Sequence, residues 1–398
     1  MGEKNIAQKK SIAFLPEVAT SVSTNERTPR LLSLLRDHFD VHAIPPGRLG
    51  GLIYNQSFAK PARYVIFPIE MGSLFWRTLA AIRKDRCGLV FTEGTYFSFA
   101  GGLAARVAGK PFIWDNHGNI WDMARSLSKS GIFLRTNQLL ERLLARACAR
   151  TMVVSEAEMR TYVEHGYDAM KFEVFPTGVD MKEVGAKAVA RQEARARLGL
   201  PDDQIVILFF GSLGYVPNRD AAAYIINELG PELVRIDPRA RVYIAGGGGQ
   251  GLQPGPGVEL LGFVDDLQLW LSAADLCIAP LWKGVGILTK VLDMMAAQRP
   301  VVVTPLALEG IPELADGVNC KLGKDREQFL DSVMALVGDA PLRDRLGREG
   351  AKLVARSYDW NDLGQRLSAI LQMVMTEAEG GTASISSATE DANPHDRR

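Results

Sequence analysis

Residues 281–311 read LWKGVGILTKVLDMMAAQRPVVVTPLALEGI, and the pattern of this stretch predicts a fold class. It contains a Gly-x-Gly turn, a pattern typical of a helix at 289–298, and the apolar run RPVVVTP at 299–305. A continuous run of β-branched residues is typical of a strand that is covered on both faces of a parallel sheet. The order of turn, helix and strand therefore predicts one unit of a parallel α/β domain.

Short apolar runs alternate with helical patterns along most of the chain, in two series. A charged stretch with few large apolar residues, at 181–203, separates the series. Ligands of such folds bind beyond the carboxyl ends of the strands, and domain interfaces are common sites of pockets. We therefore predict two Rossmann-like parallel-sheet domains that face each other across a cleft. The predicted strands are SIAFL (11–15), VHAI (41–44), RYVIFP (63–68), GLVFTE (88–93), PFIWDN (111–116), RTMVVS (150–155), QIVILFFGS (204–212), ARVYIAGGG (240–248), VELLGF (258–263), LCIAPL (276–281) and RPVVVTP (299–305).

The domain boundaries follow from the same pattern. The N-terminal Rossmann-like domain is predicted at 1–185, a linker or hinge at 186–203, and the C-terminal Rossmann-like domain at 204–372. The last helix of the C-terminal domain is expected to pack back on the N-terminal domain. Residues 373–398 are poor in large apolar side chains and rich in Gly, Ser and Thr, so they are predicted to form a disordered tail.

Net charge, hydropathy and cysteine spacing each exclude a class of partner or ligand. The 398 residues include 46 basic and 46 acidic ones, so no overall field favours nucleic acid. No run of ~18 apolar residues predicts a transmembrane helix. The four cysteines lack the spacing of a metal site and are expected to be free thiols in a reducing cytosol. We therefore predict a cytoplasmic protein without a nucleic-acid partner. The cysteines are Cys87, Cys148, Cys277 and Cys320.

The quoted stretch can bind an anion. Gly284 and Gly286 let the backbone approach a ligand closely, and the free N–H groups at a helix start favour a phosphate. This predicts a diphosphate site at the turn. Its predicted backbone and side-chain contacts are Lys283, Gly284, Gly286, Ile287, Leu288 and Thr289.

Lys290 and Asp293 are three residues apart and lie on one face of the predicted helix. An ammonium group neutralises phosphate oxygens, and a carboxylate accepts hydrogen bonds from the two ribose hydroxyls. Together they predict a nucleoside diphosphate ligand. The alternative is that the two glycines form only a turn and that Lys290 and Asp293 form a solvated surface pair.

Several motifs occur in an order that resembles the retaining GT-B glycosyltransferases of family 4, also called group 1, and their polysaccharide-biosynthesis subgroup. The resemblance covers about residues 10–370. In the C-terminal half it rests on FFGSLGYVPNRDAA, VYIAGGG, LLGFVDDLQLWLSAADLCIAPL and KVLDMMAAQRPVVVTPLALEGI. In the N-terminal half it rests on WDNHGN, VVSEAEMRTYVEHG and VFPTGVD.

The resemblance implies transfer of a hexosyl group, with retention, from a nucleotide-sugar donor to a glycan or lipid-linked acceptor. The nucleotide would bind the C-terminal domain at Gly211 and Gly246, with Val264 contacting the base through its backbone and Asp293 the ribose. His117 would contact the transferred sugar. Its position just beyond a buried strand agrees with this, because catalytic groups cluster at strand ends; the alternative is a structural hydrogen bond in the loop.

The sequence departs from the family pattern at two places. The first acid of the usual pair is replaced by Val285, while the second is Asp293. After Gly211, the usual Arg and Lys for the diphosphate are absent. We hypothesise that Lys290, Arg219 and Lys283 supply the missing positive charge.

Three further features of the sequence concern the acceptor, the membrane and metals. Glu93 ends a predicted strand and is expected either to touch the acceptor or to stabilise a helix start. The segment 73–86 combines aromatic and basic residues, which suits peripheral contact with the cytoplasmic face of a membrane, although a core-packing helix explains it as well. No metal or other cofactor is expected, and the pair at Asp265 and Asp266 is interpreted as a helix N-cap.

Two alternative functions stay open from the sequence. A nucleotide-sugar epimerase of the same GT-B architecture would hold the same ligand, and would release epimerised sugar nucleotide without any acceptor. A catalytically degenerate scaffold subunit would bind a nucleotide or a partner without turnover.

Overall fold

The computed structural model describes residues 9–17, 27–47, 60–116, 131–284 and 286–390, and of 60–66, 132–133 and 381–390 it describes the backbone path. The described residues form two compact units. Unit 1 takes its residues from the ranges 1–154, 158–175 and 363–398, and unit 2 from 155–157 and 176–362.

Unit 1 is built on a six-stranded parallel sheet with the strand order β2-β1-β3-β4-β5-β6. Its four central strands are short and almost fully buried, because helices cover both faces, and the edge strands β2 and β6 are partly exposed. The elements are β1 Ser11–Leu15, α1 Arg27–His38, β2 Asp40–Ala43, α2 Lys60–Lys84, β3 Leu89–Glu93, α3 Thr95–Val107, β4 Phe112–Asp115, α4 Ile132–Ala147, β5 Arg150–Val153, α5 Glu156–Glu164 and β6 Phe172–Val174.

Unit 2 repeats this architecture with the order β12-β11-β10-β7-β8-β9, again all parallel. The elements are α6 Met181–Lys187, α7 Arg191–Leu198, β7 Ile205–Phe210, α8 Val216–Tyr224, a π-helical turn Ile225–Leu229, α9 Gly230–Ile236, β8 Ala240–Ala245, β9 Val258–Gly262, α10 Leu267–Ala273, β10 Leu276–Ala279, α11 Thr289–Ala296, β11 Val301–Val303, α12 Leu306–Gly310, β12 Lys321–Leu322, α13 Arg326–Gly338, α14 Ala340–Ser357 and α15 Trp360–Glu390, which continues into unit 1.

The strand β7 shows why the apolar runs are continuous rather than alternating. Val206 and Leu208 belong to the core on one face of the sheet, and Ile207 and Phe209 belong to the core on the other face. Each residue of the strand is therefore buried, whichever face its side chain occupies. The predicted parallel α/β class is confirmed by both sheets.

The predicted strand at 63–68 is wrong, because these residues lie inside α2. A short β-branched run cannot be distinguished from part of a buried helix by its pattern alone. The adjoining segment 73–86 is helical up to Lys84, as predicted. In that segment Leu74 and Leu79 are buried and Trp76 is 65% exposed, so one face of the helix packs in the core.

The predicted linker and the described part of the predicted tail both contain helix, and residues 391–398 lie outside the described residues. The stretch 186–203 contains α7, and its Arg195 is buried in an ion pair with Asp275 inside unit 2. The tail after 372 continues α15, where Met375 is buried and Glu379 pairs with Lys10 of unit 1. Tertiary contacts therefore hold α7 and the part of α15 up to Glu379, which composition alone does not predict.

Among the residues that the structure describes, no helix has both the length and the hydropathy needed to cross a bilayer. The four cysteines are free and buried.

Candidate functional site

Two glycine turns meet at the carboxyl ends of β7 and β8. Gly211 has a φ of 154°, and its N–H donates to the carbonyl of Ala245 at 2.9 Å. Gly246 also has a φ of 154°, and a Cβ at that position would lie 2.0 Å from the carbonyl oxygen of Gly211. Both predicted glycines are therefore required for the two turns to pack against each other.

Lys290 reaches this pair of turns from the second residue of α11. Its Nζ would lie 2.6 Å from a Cβ at Gly211, so the ammonium group stands directly over that glycine. Nζ also lies 4.9 Å from the ring centroid of Phe209 and donates to Oδ1 of Asn218 at 2.5 Å. Burial lowers the pKa of Lys290 to about 8. A cation is thus held at the strand ends by neutral groups.

The turn before α11 contains two glycines with positive φ. Gly284 and Gly286 have φ values of 155° and 73°. Leu288 is the N-cap residue, and its side chain makes no capping hydrogen bond. A Cβ at Gly310 would lie 2.6 Å from Cα of Ile287, so α12 packs closely against this turn. Helix α12 therefore packs against the start of α11, which no side chain caps. The N–H groups of Thr289 and Val291 donate to the carbonyls of Ile287 and Leu288.

The other two predicted cations lie in different surroundings. The guanidinium of Arg219 donates to the carbonyls of Gly248 and Gln250, at 3.3 and 2.7 Å, and so ties α8 to the second glycine turn. Lys283 is exposed and lines a cavity of 570 Å³ together with Tyr224 and Trp282. Of the three, Lys290 alone is placed over Gly211.

The remaining predicted nucleotide contacts are spread over unit 2. Asp293 is half-buried on α11, one turn after Lys290, and Thr289 is the first residue of that helix. Val264 is half-buried and packs at the edge of the core. Asp266 caps α10 by accepting a hydrogen bond from the N–H of Leu269, so the interpretation as an N-cap is confirmed.

In unit 1 the predicted acceptor residue Glu93 is fully buried. Its carboxylate accepts hydrogen bonds from the N–H of Glu17 and the hydroxyl of Thr28, at 3.2 and 3.0 Å. This position favours a structural role over contact with an acceptor. His117 and Val285 lie outside the described residues, so their roles stay predictions.

A buried ion pair that the sequence analysis did not predict occupies the same edge of unit 1. Arg27 and Asp115 are 2% and 0% exposed, and the guanidinium bonds both carboxylate oxygens, at 3.1 and 2.8 Å. It also donates to the carbonyl of Phe175 at 3.1 Å. The pair joins residues 88 positions apart, which no local pattern reveals.

Asn218, the polar partner of Lys290, was also missed by sequence reasoning. It is buried at the start of α8, 72 positions before Lys290. The only local signal is an Asn in the first turn of a helix that follows a glycine turn. Within the described ranges, no group of three or more His, Cys, Asp and Glu side chains is arranged to hold a metal ion.

Comparison with known proteins agrees with this architecture. The family model for Glycosyltransferase Family 4 matches residues 31–183, and the model for Glycosyl transferases group 1 matches residues 204–339. The solved structure of Anabaena HepE in complex with UDP superposes with a TM-score of 0.65, at 15% identity over 91% of this chain and 100% of that one. The predicted GT-B fold is confirmed.

Curated relatives are similar at the sequence level. The Escherichia coli UDP-Gal:alpha-D-GlcNAc-diphosphoundecaprenol alpha-1,3-galactosyltransferase is 24% identical over 63% of this chain and 63% of its own length. A D-inositol 3-phosphate glycosyltransferase of Streptomyces coelicolor is 25% identical over 71% of this chain and 68% of its own length. The chain spans about half to two thirds of the length of the curated relatives it matches. With two family models matching consecutive parts of it, the chain belongs to the group 1 glycosyltransferases of family 4.

Proposed function

We propose that this protein transfers a glycosyl group from a nucleoside diphosphate sugar to a lipid-linked or glycan acceptor. The observation that carries the proposal is the ammonium group of Lys290, held over Gly211 by the neutral side chains of Asn218 and Phe209. A cation that is half-buried with neutral partners is costly in an empty site and is stabilised by an anionic ligand.

A diphosphate leaving group gains negative charge during the reaction, and Lys290 is a cation that can stabilise it. When the bond between the sugar and the diphosphate breaks, negative charge develops on the leaving oxygen. In this proposal, Lys290 and the start of α11, which no side chain caps, stabilise that charge. Asp293, one turn further along α11, is proposed to accept hydrogen bonds from the ribose hydroxyls. Because these groups supply the positive field, the proposed reaction uses no divalent metal.

The donor and the acceptor are proposed from the relatives. HepE was solved with UDP, and the Escherichia coli relative is named for a UDP-galactose donor and a diphosphoundecaprenol-linked acceptor. We therefore propose a uridine nucleotide and a prenyl-diphosphate-linked sugar as the first substrates to test, with a role in polysaccharide assembly. Retention of the anomeric configuration and cytoplasmic location at the membrane face are part of the same proposal.

The test is a two-step experiment on the full chain. UDP, GDP and ADP sugars are screened for a thermal shift, and the sugar nucleotides that bind are incubated with prenyl-diphosphate-linked acceptors. Transfer that is lost in Lys290→Ala and kept in Lys352→Ala supports the proposal, because Lys352 is an exposed surface residue. Epimerised free sugar nucleotide without acceptor would establish the epimerase instead, and binding without any turnover would establish the scaffold.

A further inference from the structure

The orientation of the Asn218 amide is fixed by its two partners. Its Nδ2 donates to the carbonyl of Ser212 at 2.9 Å, so its Oδ1 faces the opposite way and accepts from Nζ of Lys290 at 2.5 Å. Asn218 is 7% exposed, and the carbonyl of Ser212 belongs to the glycine turn after β7. The amide thus connects the turn to the cation and leaves the lysine a neutral acceptor.

We propose that Asn218 positions Lys290 for the diphosphate, and that binding of the donor draws a proton from solvent onto Nζ. This inference rests on the proposed function, because it concerns how the same site binds the donor. Asn218 is a positioning residue in it, since it acts through Lys290. The proton that is taken up on binding is released again when the nucleotide leaves.

The physical basis is the cost of holding a charge among neutral groups. Burial lowers the pKa of Lys290 to about 8, so about half of the empty sites carry a neutral amine at pH 8. A bound diphosphate places negative charge beside Nζ and favours the ammonium form. The pKa is therefore raised on binding, and the site takes up about half a proton at pH 8.

The charged groups that the structure describes on the surrounding elements do not take the place of the diphosphate. Arg219 on α8 is turned to the carbonyls of Gly248 and Gln250. Asp220 on α8 is exposed, Asp293 lies one turn along α11, and Lys283 lies on the exposed loop before it. Burial is the cause of the lowered pKa of Lys290.

A pH dependence of donor affinity follows. Below pH 7 most of the Lys290 side chains are already protonated, so the affinity is constant. Above pH 8 each unit of pH leaves about tenfold fewer protonated empty sites, and the affinity falls about tenfold per unit until the pKa of the complex is reached.

Isothermal titration calorimetry with UDP measures this proton directly. The titration is run at pH 8 in HEPES and in Tris, and the dependence of the heat on the buffer's ionisation enthalpy gives the number of protons taken up. The terminal phosphate of UDP is fully ionised at this pH, because the second pKa of a phosphate monoester is ~6. We expect about half a proton for the natural protein.

Variants separate the roles of the two residues. Lys290→Arg should take up no proton, because a guanidinium stays charged. Asn218→Ala removes an acceptor that favours the ammonium, so uptake at pH 8 should rise towards one proton while the affinity falls. Asn218→Asp provides a carboxylate that keeps the lysine charged, so uptake should vanish. Asn227→Ala, at an exposed position of the adjoining π-helical turn, is the matched control and should behave like the natural protein.

The outcomes distinguish this inference from the proposed function. UDP binding with no proton uptake in the natural protein would overturn the inference and leave the glycosyltransferase proposal intact. Equal uptake in Asn218→Ala and Asn218→Asp would overturn the positioning role of Asn218. Failure of UDP, GDP and ADP all to bind would overturn both.

Discussion

The carboxyl ends of the two sheets each hold a desolvated cation, but its partners differ between the two units. In unit 1, Arg27 and Asp115 neutralise each other at this edge, because the guanidinium of Arg27 bonds both oxygens of Asp115 in the interior. In unit 2, Lys290 stands over Gly211 with a neutral amide as its partner. The two sheets are alike in topology, but their edges differ. At the edge of unit 1, here called the closed edge, Asp115 supplies the counter-charge of Arg27. At the edge of unit 2, here called the open edge, no acidic side chain among the described residues pairs with Lys290.

The difference indicates that Arg27 stabilises the fold, whereas Lys290 is suited to bind an anionic ligand. A buried ion pair with its hydrogen bonds made is a closed arrangement, and removing one partner leaves an uncompensated charge. A desolvated lysine with a neutral partner costs stability in the empty protein, and an anion repays that cost. Substitutions at the edge of unit 1 should therefore lower the free energy of unfolding, and substitutions at the edge of unit 2 should lower the rate of transfer.

The largest expected effect lies at the closed edge. Arg27→Met should reduce the free energy of unfolding by ~3–5 kcal/mol, because Asp115 is left buried without its cation. Urea denaturation followed by circular dichroism measures the change. The double variant Arg27→Met, Asp115→Leu should recover most of it. A loss below ~1 kcal/mol in the single variant would show that the pair is not the closed arrangement described above.

At the open edge, Lys290→Ala should lower kcat/KM by about a hundredfold or more, or ~3–4 kcal/mol of transition-state stabilisation. Its free energy of unfolding should stay unchanged or rise, because a desolvated charge is removed. Steady-state transfer assays and urea denaturation measure the two effects, with Lys352→Ala as the control. Full turnover together with a lower free energy of unfolding would show that Lys290, like Arg27, stabilises the fold and does not act on the donor.

A smaller effect is expected one turn along the same helix. Asp293→Asn keeps the shape of the side chain and weakens its hydrogen bonds to the ribose, so nucleotide affinity should fall by ~1.5–3 kcal/mol. Calorimetric titration with the nucleoside diphosphate measures the loss. The matching deoxyribose nucleotide should bind the natural protein with a similar loss. Unchanged affinity of Asp293→Asn would remove this residue from the ribose site.

The smallest expected effect is that of a chelator. Excess EDTA should leave the rate of transfer unchanged, because Lys290 and the start of α11 provide the positive field at the diphosphate. Transfer assays with and without EDTA, followed by addition of Mg²⁺ or Mn²⁺, test this prediction. A rate that falls with EDTA and returns with the metal would show that transfer requires a divalent cation at the open edge.

The sequence predicted what local patterns encode. The run RPVVVTP and the turn from Gly284 to Lys290 identified a strand, a helix start and a cation in the right order, because turn chemistry and periodicity are local properties. The segment 63–68 was misread as a strand, since a run of six residues does not distinguish the two structures. The partners of Lys290 and Asp115 lie 72 and 88 positions away, so only the fold brings them together.

The central claim is tested most directly by the structure of the protein with a bound nucleoside diphosphate. We predict a diphosphate oxygen within hydrogen-bonding distance of Nζ of Lys290, beside Gly211 and the start of α11. A complex in which the diphosphate binds elsewhere, with Nζ still on Asn218 as its sole polar partner, would contradict the claim.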